Sequence, residues 1–136
     1  MGEVEKTAAS LRIAGATLVP EDITGLLGRP PDFSYRSGER IPLPNGRVGA
    51  IQRHGLWSIK SAVARPGNLD AQIVELLRAV TEDLAVWGQL TSQFKVDLFC
   101  GLFIADGNQG LTISASSLLE LGRRGIELEF DVYSLD

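Results

Sequence analysis

Chemistry in this chain would have to start from Arg53-His54-Gly55-Leu56-Trp57-Ser58. That stretch holds the sole histidine and one of the two tryptophans. It follows a long Pro/Gly-rich segment that contains Arg36 and leads into a candidate strand. Polar groups at such a loop-to-strand junction are well placed for binding. His54 could take a ligand-binding or acid-base role, in a site shared with Arg36 and Arg53. A single histidine excludes a two-His metal site within the chain. The competing reading is structural: a histidine before Gly55 suits a tight turn, because it tolerates positive φ better than most residues. Trp57 shares a strand face with Ile59 and reads first as core, though it stays among the binding candidates.

Three other groups need weighing. Cys100 lies on the inward face of an apolar strand without an adjacent His or Lys, the pattern of a buried, unreactive thiol. Glu127, Glu129 and Asp131 alternate on the last strand, about 7 Å apart on one surface. That spacing could serve a carboxylate pair or a hard metal, but a solvated strand face is the simpler reading. Phe99 and Phe103 fall on the outward face of a long strand, and Tyr133 is outward on the last one. A face meant only for water does not need two phenylalanines, so a cover is expected, either the loop of the 30s and 40s or a second subunit. The binding candidates are therefore Arg36, Arg53, His54, Trp57, Phe99, Phe103 and Tyr133. No catalytic residue, metal ligand or cofactor is expected, and no phosphate-binding glycine motif occurs.

The elements that must position these groups follow from periodicity. Ala9, Leu11 and Ile13 alternate with Ser10 and Arg12, which predicts a strand over 7–14. Pro20-Glu21-Asp22 opens a short helix that Gly28 stops. Residues 29–55 form a long loop with a hidden strand at 47–52; residues 56–63 return beside it, with His54-Gly55 as the turn. Asn68 caps one long helix over 69–90 whose apolar stripe runs from Leu69 to Trp87, with Gln72 on or near its polar side. Residues 94–104 form a strand. Asp106-Gly107-Asn108 is turn chemistry, and 111–114 returns antiparallel. Ser117 and Glu120 read as a capping box. The last strand, 126–133, turns Ile126, Leu128, Phe130 and Val132 inward. The sum is an α+β two-layer sandwich, a mostly antiparallel sheet with helices on one face, in a ferredoxin-like arrangement.

Composition bounds the function. The 136 residues suit a single domain, 1–136, with a flexible tail at 1–5, and 44 % hydrophobic content supports a core. Seventeen acidic residues against thirteen basic ones give a net charge of -4, which argues against nucleic acid as a partner. One cysteine excludes an internal disulfide and fits a reducing, cytoplasmic setting. No signal peptide and no membrane segment are expected.

The landmarks Leu11-Arg12-Ile13-Ala14-Gly15, Pro20-Glu21-Asp22-Ile23-Thr24 and Leu27-Gly28 resemble the start of the bacterial domain-of-unknown-function family 4279. Tyr35-Arg36-Ser37-Gly38, Gly55-Leu56-Trp57-Ser58 and the closing Leu121-Gly122, Ile126 and Phe130-Asp131-Val132-Tyr133 extend the resemblance over nearly the whole chain. It implies a small cytoplasmic bacterial protein and draws notice to Arg36, Gly38 and Trp57, but it gives no residue a role. The expectation is a non-catalytic binding or protein-interaction module of the immunity-protein or regulator kind, with a homodimer or protein partner and a small-molecule ligand of unknown identity. The alternative is a small enzyme with a site near Arg36, Arg53 and His54.

Overall fold

The computed structural model describes residues 2–105 and 107–135. Their sequence forms β1 (Gly2–Glu3), β2 (Lys6–Gly15), α1 (Pro20–Leu27), β3 (Phe33–Tyr35), β4 (Arg40–Pro42), β5 (Val48–Ile51) and β6 (Gly55–Lys60). There follow α2 (Leu69–Arg78), α3 (Leu84–Gln93), β7 (Lys95–Ile104), β8 (Gln109–Gly110), α4 (Ala115–Arg124) and β9 (Glu127–Ser134). The main sheet has five strands in the order β3-β6-β2-β7-β9. Its pairings are antiparallel except β7 with β9, which run parallel and are joined through α4, as a parallel pair requires. The fold is α+β.

Alternation on β2 and β7 divides the sheet into two faces. Ala9, Leu11, Ile13, Val96, Leu98 and Cys100 turn to the helix side, where they form one core with Ile23, Leu27, Trp57, Ile59, Ile73 and Trp87. Fully burying side chains of this size contributes roughly 1.5–3 kcal/mol each before entropy is subtracted. The other face carries Arg12, Lys95, Asp97, Phe99, Phe103 and Glu129, and among the described residues no helix packs there.

Several expectations are corrected. The predicted helix over 69–90 is two helices. Thr81 donates its amide to Leu27 O at 3.0 Å, and Asp83 caps α3 by accepting from Ala85 N at 2.9 Å. The apolar stripe continues across the break, so periodicity alone hides it. Gln72 is buried, not polar-side: it accepts from the Thr7 hydroxyl and donates to the carbonyls of Thr7 and Ala62.

The strand at 47–52 exists at 48–51, but it pairs with β4, while β6 pairs with β3 and β2. His54-Gly55 is thus no hairpin turn. His54 has negative φ, and Gly55 opens β6 at a tight approach where a Cβ would lie 2.5 Å from Leu18 O. Residues 29–55, read as a loop, hold three short strands.

Residues 111–114 form no strand; β8 instead pairs in parallel with β1. In the 1–5 segment, Val4 is buried and donates its amide to Gly110 O at 3.2 Å, so this end is fastened where it is described. The cap of α4 is Ser114, which accepts from Ser117 N at 3.1 Å, three residues before the predicted start. Phe130 and Val132 share the helix-side face but stay about half exposed, at 47 % and 56 %, because β9 is the edge strand. Of the turn expected at 106–108, Asp106 lies outside the described residues.

Candidate functional site

The open face is built by register. Arg12 on β2 lies directly across from Asp97 on β7, and Phe99 lies across from Glu129 on β9. Arg12 donates from Nε to Asp97 Oδ1 and from Nη2 to Asp97 Oδ2, both at 2.9 Å, and from Nη2 to Glu129 Oε2 at 3.0 Å. Its guanidinium also lies 4.3 Å above the Phe99 ring centroid, a stacked arrangement that a lysine would not reproduce. Lys95 Nζ stands 3.8 Å from both Asp97 and Glu129. Two cations and two carboxylates therefore neutralise one another across three strands.

Asp97 is the unusual member, because its side chain is only 4 % exposed. Burial alone would push its carboxyl pKa upward. The Arg12 hydrogen bonds and the charges of Arg12 and Lys95 outweigh that and hold it below the ordinary value. Arg12 is held above its own usual value, chiefly by the hydrogen bonds to Asp97.

A second row continues the pattern. Lys6 lies across from Phe103 with its ammonium 3.9 Å from the ring centroid, and Phe103 stacks on Tyr133 at 4.8 Å and 14°. Gly101 makes room, since a Cβ there would lie 3.2 Å from the Phe103 ring. Tyr133 donates its hydroxyl to Asp131, which raises the phenol's pKa. Part of the cover expected from the loop or a second subunit thus comes from cations and a tyrosine on the same face.

Beside the first row the face hollows into a cleft of about 280 Å³ bordered by Arg12, Tyr35, His54, Lys95 and Asp97. Of the predicted site residues, only His54 borders it. Arg36 leaves for an exposed ion pair with Glu21 on α1 at 2.7 Å. Arg53 is exposed, and its carbonyl accepts from Ser37 Oγ at 3.0 Å. Trp57 is fully buried and donates Nε1–H to Thr24 Oγ1 at 3.2 Å, so as a binding residue it is corrected to core. Gly38 takes φ of 90° and donates its amide to Gln52 O at 2.7 Å, which is reason enough for glycine there.

Sequence reasoning missed Arg12, Tyr35, Lys95 and Asp97. The available signal was Arg12 and Asp97, each a charged residue set among apolar ones within a strand. Among the described residues, no group of three or more His, Cys, Asp or Glu side chains is placed to hold a metal ion. No described helix is long and apolar enough to cross a membrane.

Fold and face together define a small α+β domain that presents a charged, aromatic sheet surface. The chain belongs to the family described as Domain of unknown function (DUF4279), whose model matches residues 5–135. No curated protein and no solved structure matches it.

Proposed function

We propose that the protein is a non-catalytic binding module, of the immunity-protein or regulator kind, and that the helix-free face of its sheet is the binding surface. The observation that carries this reading is the cleft between Arg12, Tyr35, His54 and Lys95, floored by the buried Asp97. Arginine and aromatic side chains held rigid by their neighbours are the groups that anchor protein interfaces. Phe99, Phe103 and Tyr133 extend that surface along β7 and β9. The partner we favour is another protein or a second copy of this chain, in a cytoplasmic, bacterial setting that accords with one buried cysteine.

A ferredoxin-like plan accords with β2, α1, β3, β6, the α2–α3 pair and β7 running in that order in a β3-β6-β2-β7 sheet, with β9 added. The enzyme reading keeps one supporting observation, that His54 shares the cleft with Asp97 and Lys95. It loses the convergence of Arg36 and Arg53 with His54 on which it was framed.

The test is native mass measurement with light scattering, alongside a thermal-shift ligand screen, on the wild type and on Lys95→Glu and Tyr133→Ser. Both positions are exposed, so the variants should stay folded while losing self-association or ligand response, Lys95→Glu with a lower melting temperature because it sets a third carboxylate beside Asp97 and Glu129. A wild type that is monomeric at every concentration and stabilised by no compound sinks the reading.

A further inference from the structure

On the opposite side of the molecule, a cleft of about 310 Å³ opens between α2 and α4. Ile73, Val74 and Leu77 form its apolar wall, and Arg124, the last residue of α4, lines it from the other side. Arg124 is only 6 % exposed. Its Nη1 donates to Glu120 O at 3.0 Å and to Glu120 Oε2 at 2.7 Å, but its Nε is buried and donates to nothing. A buried donor left unbonded costs about 1–3 kcal/mol. An acceptor supplied by an occupant would remove that cost.

The charges around the cleft narrow the choice. Arg78 and Arg124 line it with Glu82 and Glu120, while Arg123, at 3.3 Å, shares the Glu120 carboxylate. Two guanidiniums and two carboxylates thus line the cleft, and Arg123, outside that lining, draws on the Glu120 carboxylate, so an occupant's carboxylate meets no net negative charge. The free side of a guanidinium fits a carboxylate better than a single-point acceptor. The volume is at the small end for ligand sites, and the wall beyond Arg124 is aliphatic.

We propose that the α2–α4 cleft binds a small monocarboxylate with a short apolar tail, its carboxylate on Arg124 and its tail against Val74 and Leu77. Because Nε lies beneath the cleft surface, the guanidinium turns toward the opening as the carboxylate docks. This site is separate from the sheet face, and neither reading depends on the other.

The test is a titration of 15N-labelled protein with sodium hexanoate, with hexanamide as the uncharged isostere and sodium chloride as the salt control. Hexanoate should move the Arg124 Nε–H resonance and the amides of Val74, Leu77 and Ser116 saturably, with a Kd of about 1 mM for so small a probe. Hexanamide should bind at least about tenfold more weakly, and Arg124→Lys, which keeps the charge without Nε, should lose affinity to the same degree. Should Arg124→Lys fail to fold, Val74→Phe fills the cleft from a half-buried position and should abolish the response. Resonances unmoved at roughly 50 mM hexanoate, an equal response to hexanamide, or unchanged binding in Val74→Phe would each overturn the proposal.

Discussion

Arg12 grips Asp97 across the β2–β7 ladder at both carboxylate oxygens, each at 2.9 Å, while its guanidinium rests on Phe99. The partners differ in exposure, because Arg12 reaches solvent and Asp97 does not. Removing the arginine therefore leaves a buried carboxylate whose nearest remaining cation is Lys95 at 3.8 Å. Arg12→Met, which keeps the packing on Phe99, should cost about 2–4 kcal/mol in urea unfolding, somewhat below a fully buried pair because Lys95 remains. Asp97→Asn should cost less, since Arg12 keeps Glu129 and water. The coupling from the double-mutant cycle should exceed about 1 kcal/mol; additive losses would mean that the contact does not contribute.

The same pair sets a response to acid. The Asp97 carboxyl is held below its ordinary value of 3.8, with burial opposing and Arg12 and Lys95 prevailing. Asp70 is also held low, first by the backbone amide of Ser114. A carboxylate that binds its proton less readily when folded stabilises the protein fully above the unfolded value. That stability is lost as pH falls through the folded value. Unfolding free energy should therefore drop as pH falls below about 4, and the slope should be shallower in Asp97→Asn. Parallel slopes for the wild type and the variant, measured by urea titration across that range, would contradict the assignment.

Gln72 joins α2 to the sheet through the Thr7 hydroxyl at 2.8 Å, Thr7 O at 2.9 Å and Ala62 O at 2.8 Å. Thr7 Oγ1 accepts in turn from Asn68 N at 2.9 Å, at the cap of the same helix. Gln72→Ala should leave the buried Thr7 hydroxyl without its acceptor, take one donor from Thr7 O, which keeps Ala64 N, and one from Ala62 O, and open a cavity, at about 2–4 kcal/mol. Calorimetry should then find a melting temperature lower by roughly 10 °C. A fall of a degree or two would show that water takes over those bonds.

Much of this architecture was legible in residues with one plain job. Leu11 and Ile13 alternate, Gly28 and Gly125 stop their helices in left-handed conformation, and Asn68 and the α2 stripe announce themselves. Strand pairing was not legible. Residues 48–51 read correctly as a strand, but their partner could be β4 or β6, and only tertiary packing chooses. Gln72 shows the same limit within a helix: its type suggests solvent, and its burial depends on carbonyls 65 and 10 residues away. The open face suffered most. Arg12, Asp97 and Glu129 are 85 and 117 residues apart along the chain and meet only through register. His54 stood out by rarity, although it only shares the cleft's lining with Arg12, Tyr35, Lys95 and Asp97.

Cys100 gives the last prediction. It faces the core from the middle of β7, fully buried. Burial first, and the negative charge of Asp97 second, push its thiol up to about 12. At neutral pH it is therefore both protonated and out of reach, so a thiol reagent meets it only after the sheet opens. Labelling of the native protein at pH 8 should run at least about a thousandfold slower than in urea, and the rate should track stability across variants such as Gln72→Ala. The thiol also resists ionisation in the folded state, relative to the ordinary value of 9.0. Its contribution to stability is thus complete below about pH 9 and declines as pH rises toward 12, opposite in sense to Asp97. Labelling at the rate of an exposed thiol would remove Cys100 from the core and reopen it as a reactive residue.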